Sequence, residues 1–429
     1  MIFTLLFFVF GVLYLVKSTF HVIYHIIIHL FFENVNYLGG ILKICSIVAE
    51  YNPFHNGHLS QINFIKEKLK PDYIAVFLSG NFTQRGDPAV LNKFTRARHA
   101  VLSGADIVFE LPTVFATQTA EIFSSGAVKL INALPLEKSI CFGAECGDKK
   151  EIIDTAVFML NETPEYKSEL KVQLKKGLSL LQAREIALKK TNPSFNAEIL
   201  KSPNNVLGVE YVKAILKNDY PIEVDVVKRD GASYNEERLL KSNPSALAIR
   251  SALQNGKKIA VKNFVPSHVY KDLELPPNFD REILYSLIST DKKDIAKAVD
   301  CVEGLENRIK ALCKDSFTVF ELLEKLKTKR YTTARLKRIL LSTMLKIDEK
   351  LVKSALKKDL YLKVLAINNE KSELLSLLSK SAYPLITRKS DVSKLSPFAK
   401  EVFEKDVFAS DIYSSVVGEK INEHNMIIV

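Results

Sequence analysis

The chain has 429 residues, 47% of them hydrophobic and 25% charged, which excludes a disordered chain and leaves enough apolar side chains for two or three packed domains at ~100–200 residues each. Its 60 Lys+Arg outnumber 49 Asp+Glu, for a formal net charge of +11, a balance that suits a polyanionic partner such as nucleic acid. Cys45, Cys141, Cys146, Cys301 and Cys313 are odd in number and never spaced as Cys-x-x-Cys, so neither a disulfide framework nor a structural zinc site is expected, and reduced thiols point to a cytoplasmic protein.

In chain order the first element is apolar. Residues 1–32, MIFTLLFFVFGVLYLVKSTFHVIYHIIIHLFF, carry a single formal charge at Lys17 and satisfy the ~20 apolar residues of a membrane span. A signal peptide is not expected, because the basic n-region and the small-residue cleavage site are both missing. His21, His25 and His29 share one helical face, but with no carboxylate or cysteine beside them they read as polar punctuation rather than as metal ligands. Residues 1–41 are therefore either a membrane segment or an extension outside the working protein.

From residue 42 the pattern alternates. Strand-like runs at 43–51 (KICSIVAEY), 72–80 (DYIAVFLSG), 105–112 (ADIVFELP), 138–145 (KSICFGAE) and 222–229 (IEVDVVKR) are separated by helix-length amphipathic stretches. This rhythm predicts an α/β fold with a Rossmann-like parallel sheet that binds ligands at the carboxyl ends of its strands. His55-Asn56-Gly57-His58 falls where the first strand gives way to its helix. A helix N-terminus favours phosphate, a glycine permits close approach, and two histidines three apart can both donate to phosphate oxygens as charge builds during attack on an α-phosphorus. The pair alone could equally be half of a metal site. After the second strand, Asn81, Gln84 and Arg85 sit at the same expected edge as candidate phosphate or acetate contacts.

Beyond about residue 270 the pattern turns helical. TKRYTTARLKRILLSTMLKI (328–347) places Leu336, Leu340, Met344 and Ile347 on one stripe. Lys329, Arg330, Arg335, Lys337 and Arg338 are left to meet RNA phosphates, with Tyr331 as a stacking face for an unpaired base. A solvated basic helix would show the same pattern. The expected division is a nucleotide-binding domain over 42–270 and a mainly helical domain over 271–429.

IVAEYNPFHNGHL (47–59), SGNFTQRGDPAVLNKFTRARHAVLSGADIVFELP (79–112), FGAECGD (142–148), SPNNVLGVEY (202–211) and CVEGLENRI (301–309) together resemble the bacterial tRNA(Met) cytidine acetate ligase family of His-x-Gly-His nucleotidyltransferases, from about residue 42 to the C-terminus. The resemblance implies that 42–270 is the nucleotidyltransferase domain and 271–429 binds tRNA. It also implies an enzyme that uses ATP, with Mg²⁺ neutralising pyrophosphate, to activate acetate as acetyl-adenylate. The acetyl group then passes to the N4 amine of the wobble cytidine of elongator tRNA(Met), turned out of the anticodon stack, giving N4-acetylcytidine. Carried over by position, the catalytic pair is His55 and His58. The ATP loop is Ile47, Val48, Ala49, Glu50, Tyr51, Asn52, Pro53, Phe54, His55, Asn56, Gly57, His58, Leu59 and Ser60. Gly143, Asn204 and Arg229 are further ATP contacts, with a tight turn for Gly143 and a helix cap for Asn204 the alternatives. NPSALAIRSAL (243–253) is similar to a second phosphate grip of these enzymes; Pro244 and Leu247 depart from its pattern, so only Ser245 and Arg250 are carried over, with Ser245 as a helix N-cap the alternative.

Family members open at a methionine directly before a KIC-like strand, the place of Leu42 here. A TTG-type start at Leu42 is therefore expected, with 1–41 an extension and the protein cytoplasmic. No metal ligand set is assigned, and no obligate protein partner is inferred. Two rival readings are an adenylyltransferase making a dinucleotide cofactor and a non-catalytic, membrane-attached RNA- or nucleotide-binding protein.

Overall fold

The computed structural model describes residues 42–178, 180–192, 195–229, 244–302, 304–328 and 331–429. The apolar stretch 1–41, with His21, His25 and His29, lies outside them, as do Lys329 and Arg330. Each of the five expected strands forms: β1 (Lys43–Ala49), β2 (Tyr73–Ser79), β3 (Ile107–Leu111), β4 (Glu137–Ala144) and β5 (Ile222–Lys228). β2 and β3 are buried along their whole length, as their near-continuous apolar sequences require of strands covered on both faces. β1, β2 and β3 pair in parallel, and so do β4 and β5.

The helices that position the cleft are α1 (Asn56–Phe64), α2 (Lys93–Leu102), α3 (Ala120–Asn132), α4 (Pro203–Asn218) and α5 (Ala246–Gln254). Asn92 caps α2 by accepting from Thr95 N, and Ser245 caps α5 by accepting from Ala248 N, the usual use of short polar side chains at a helix start.

The chain beyond residue 270 is mainly helical, including α6 (Thr333–Leu345) and α7 (Pro397–Val417), and it also returns to the sheet with β6 (Leu362–Ile367), β7 (Leu385–Ile386) and β8 (Ile427–Ile428). β6 pairs antiparallel with β3, giving the order β5-β4-β1-β2-β3-β6-β7, with β8 on β6. Among the described residues no helix is long and apolar enough to cross a membrane.

Candidate active site

The turn from β1 into α1 fixes both histidines. Tyr51 takes a left-handed backbone, φ 45°, which bends the chain as it leaves the sheet. His55 then caps α1: its Nδ1 accepts from Gly57 N at 3.1 Å, while His55 N donates to His58 Nδ1 at 3.2 Å. The rings stack with centroids 3.7 Å apart, and Tyr51 and Phe54 pack against His58 at 4.7 and 5.5 Å. A neutral imidazole whose Nδ1 accepts carries its proton on Nε2, so both rings keep an Nε2–H donor. Burial, then Arg229 and Arg250, pull His55 down to about 3; burial, then His55 and Arg229, hold His58 well below its ordinary value. The pair therefore consists of two neutral donors backed by guanidinium charge.

They line a cleft at the carboxyl ends of the strands, whose empty space counted out through its open mouth is about 950 Å³. Val48, Ala49, Glu50, Tyr51 and Asn52 contribute from the end of β1; Gln84 and Arg85 follow β2, and Gly143, Asn204, Arg229 and Arg250 complete the expected set. Arg250 donates to Asn52 O at 2.7 Å. Glu50 accepts from Gln84 N at 2.9 Å; burial pushes its carboxyl up, against the pull of that N–H and of Arg250, Arg85 and Arg96. Gln84 Nε2 is buried without a hydrogen-bond partner, an orphan donor in the cleft wall.

Other expected contacts lie outside the lining or have partners within the chain. Ile47 belongs to the core, and Pro53 and Phe54 are buried behind the turn. Asn56 donates to Asn263 O at 2.9 Å, while Ser60 donates back to Asn56 O at 3.0 Å; neither these two nor Leu59 lines the cleft. Gly57 leaves room for the His55 ring, since a Cβ there would lie 2.9 Å from His55 Cε1. Likewise a Cβ on Gly143 would lie 2.9 Å from Arg229 Cγ, so this glycine lets Arg229 cross the strand. Asn81 is 1% exposed and engaged at both ends of its amide, its Oδ1 accepting from Lys93 N at 2.8 Å and its Nδ2 donating to Ser410 Oγ at 2.9 Å. Ser245 stands outside the lining and acts as the α5 cap, bringing Ala246, Leu247 and Arg250 to the cleft.

Sequence reasoning missed the cleft's apolar wall, Phe123, Phe142, Leu207 and Tyr211, and also Gln61, whose Nε2 donates to Cys141 O at 3.0 Å. It missed Arg96 as well. This arginine is fully buried and donates to Leu91 O at 2.9 Å, Glu50 O at 2.5 Å, Ser79 O at 3.1 Å and Gly80 O. It thereby ties the ends of β1 and β2, and burial pulls it down to about 10. Only the FTRARHA string hinted at it, and an arginine on a helix ordinarily reads as surface.

The basic helix α6 has intramolecular partners. Lys337 pairs with Asp87 at 2.6 Å, and Arg335 donates to Asp300 O at 3.1 and 2.6 Å while lying 4.9 Å over Tyr331. Burial pulls Arg338 below its ordinary value. Tyr331 is 9% exposed, so the expectation of an open stacking face is corrected: its ring is buried beneath Arg335.

Comparison with known proteins places this geometry. A family described as HIGH Nucleotidyl Transferase matches residues 42–426. The tRNA(Met) cytidine acetate ligase of Thermosipho melanesiensis is 36% identical over 364 residues, covering 81% of this chain and 85% of that protein. The protein of the same name from Caldanaerobacter subterraneus subsp. tengcongensis is 38% identical over 378 residues, covering 84% and 94%. The crystal structure of Thermotoga maritima TmcAL in its apo form superposes with a TM-score of 0.84 at 30% identity, over 90% of this chain and 100% of that one. The form bound with alpha-thio ATP gives 0.82 at 31% identity, with the same coverage. With the histidine pair at the head of α1 and similarity along nearly the whole described chain, this protein belongs to the HIGH nucleotidyltransferases, among the tRNA(Met) cytidine acetate ligases.

Proposed function

We propose that the chain activates acetate with ATP and transfers the acetyl group to the N4 amine of the wobble cytidine of elongator tRNA(Met). The observation that carries this reading is the stacked pair of neutral imidazoles beside Arg229 and Arg250. Neutral Nε2–H donors gain strength as the α-phosphoryl oxygens take up charge, so they stabilise the transition state more than the ground state. An acetate oxygen attacks the α-phosphorus, the bond to the bridging oxygen breaks, and pyrophosphate leaves with the electron pair. The cytidine amine then attacks the acetyl carbon, AMP departs, and the amine loses one proton.

Glu50 is the single carboxylate on the cleft lining among the described residues. One carboxylate together with substrate phosphates and water is a donor set that suits Mg²⁺. Glu50 would be the residue of this chain that holds the ion, which would supply charge neutralisation to the pyrophosphate.

The test is acetate-dependent ATP–pyrophosphate exchange, with His58→Ala as the variant. The loss of one transition-state donor is expected to lower exchange by ~10²–10³ with the circular dichroism spectrum unchanged. Exchange within a few-fold of the parent removes His58 from the mechanism. Exchange by the parent with a phosphorylated mononucleotide but not with acetate favours the cofactor-forming enzyme instead.

A further inference from the structure

We infer that Glu145 sets the nucleobase specificity of the cleft, holding the Asn204 amide so that its carbonyl oxygen accepts from the exocyclic amine of adenine. The inference rests on the nucleotide-binding reading above and adds a positioning residue to it. Glu145 directly follows β4. One of its carboxylate oxygens, Oε1, accepts from Asn204 Nδ2 at 2.6 Å, and the other, Oε2, accepts from the backbone N–H of Asn205 at 3.0 Å. Cys146 N in turn donates to Asn205 Oδ1 at 3.1 Å, so the loop after β4 and the start of α4 are tied in both directions. A carboxylate has no hydrogen to offer, so chemistry alone fixes the amide: nitrogen toward Glu145, oxygen away from it.

The neighbours of Asn204 assign this oxygen its ligand. Asn204, Leu207 and Tyr211 recur at helical spacing along α4 and all line the cleft, and Phe142 packs against Tyr211 with ring centroids 5.5 Å apart, a flat apolar setting that suits a base. The head of α4, a natural anion site, is already capped by the Glu145 carboxylate, and that negative charge repels a phosphate from this end. An acceptor directed at the base takes the 6-amino group of adenine and rejects the 6-oxo group of guanine or hypoxanthine, which would leave two acceptors facing each other.

Glu145→Gln tests the clamp. The fixed Asn205 N–H selects the new glutamine's oxygen, which turns its NH₂ toward Asn204, and the Asn204 amide must flip to present its own NH₂ to the cleft. The ATP-over-GTP preference, measured as kcat/KM in acetate-dependent pyrophosphate exchange, is expected to fall by about tenfold or more, chiefly through KM. Adding Asn204→Asp restores an acceptor and with it the ATP preference. If Glu145→Gln lowers the melting temperature and slows both nucleotides equally, Glu145 is merely structural and the inference is overturned. The unmodified protein gives a check that needs no variant: inosine triphosphate must be a poor substrate beside ATP, and equal use of the two overturns the clamp. Failure of the unmodified protein to exchange with ATP at all overturns the nucleotide-binding reading itself.

Discussion

Two nitrogens of the histidine pair never serve the cleft, and this is what makes the other two useful. With both Nδ1 atoms taken by backbone N–H groups, each ring has one tautomer and one direction to donate. The spacing of His55 and His58 made the pair legible in the sequence. The division of labour between their nitrogens, and the room that Gly57 leaves for the His55 ring, depend on ring orientations that a sequence does not carry. Gln84 is the complementary case: sequence placed it near the cleft together with Asn81 and Arg85, but Gln84 lines the cleft with an orphan Nε2, whereas Asn81 stands outside the lining with both ends of its amide engaged. A buried amide donor left unpaired costs about 1–3 kcal/mol, which a carboxylate ligand relieves. Gln84→Ala is therefore expected to raise the KM for acetate about tenfold or more, with a smaller change in the KM for ATP. Equal changes in both would assign Gln84 to the phosphates instead.

At the scale of elements, the βα units were readable because each combines an apolar strand run with a following amphipathic helix. β6 was not. LKVLAI is a short, almost wholly apolar run containing a lysine, and periodicity alone does not tell a buried strand of that length from a helix segment. Its lysine is tolerated only because Glu110 and Glu423 meet it in the core. The stripe of α6 was correctly read as its buried face, with Leu336, Leu340 and Met344 inside, whereas its basic residues were treated as free when several are engaged. Lys337 holds Asp87, and a Cβ on Gly86 would lie 2.7 Å from the Lys337 backbone; α6 is thus the support of the loop that carries Gln84 and Arg85. Lys337→Ala is expected to raise substrate KM values in pyrophosphate exchange without any tRNA present. By contrast, Lys329→Glu with Arg330→Glu should spare exchange, weaken tRNA binding and flatten its salt dependence by about one unit per lost phosphate contact. Loss of exchange in that double variant, with tRNA affinity retained, would reverse the two assignments.

Across the whole sheet, the parts of the chain before and after residue 270 are joined by buried charge. Lys93 on α2 meets Glu110 on β3 at 2.6 Å and Glu423 near the C-terminus at 2.8 Å; Lys363 on β6 meets Glu110 at 2.9 Å and also Glu423. Such a cluster is weak evidence of net stability, because desolvation offsets most of the attraction, but removing one member strands its partners in the core. The cluster also titrates. Burial alone would raise the Glu423 carboxyl; Lys93 and Lys363 override it and hold it at about 2, against an ordinary 4.5. In the unfolded chain this carboxyl takes its proton first as the pH falls, so its contribution to stability is complete above about pH 4.5 and is lost as the pH drops toward 2. Asp406, on α7, has the opposite sign: burial first, then Glu110, raises it to about 6, so it takes up a proton in the folded state first and favours folding as the pH falls from 6 toward 4. Urea unfolding midpoints measured against pH should therefore hold up between pH 6 and 4.5 and then fall steeply. Glu423→Gln is expected to lower the midpoint at pH 7, because two buried lysines then share Glu110, and to make the limb below pH 4.5 shallower, because one titrating carboxyl is gone. An acid limb of unchanged steepness in that variant would mean that other carboxylates govern acid unfolding and that the cluster does not hold the sheet together.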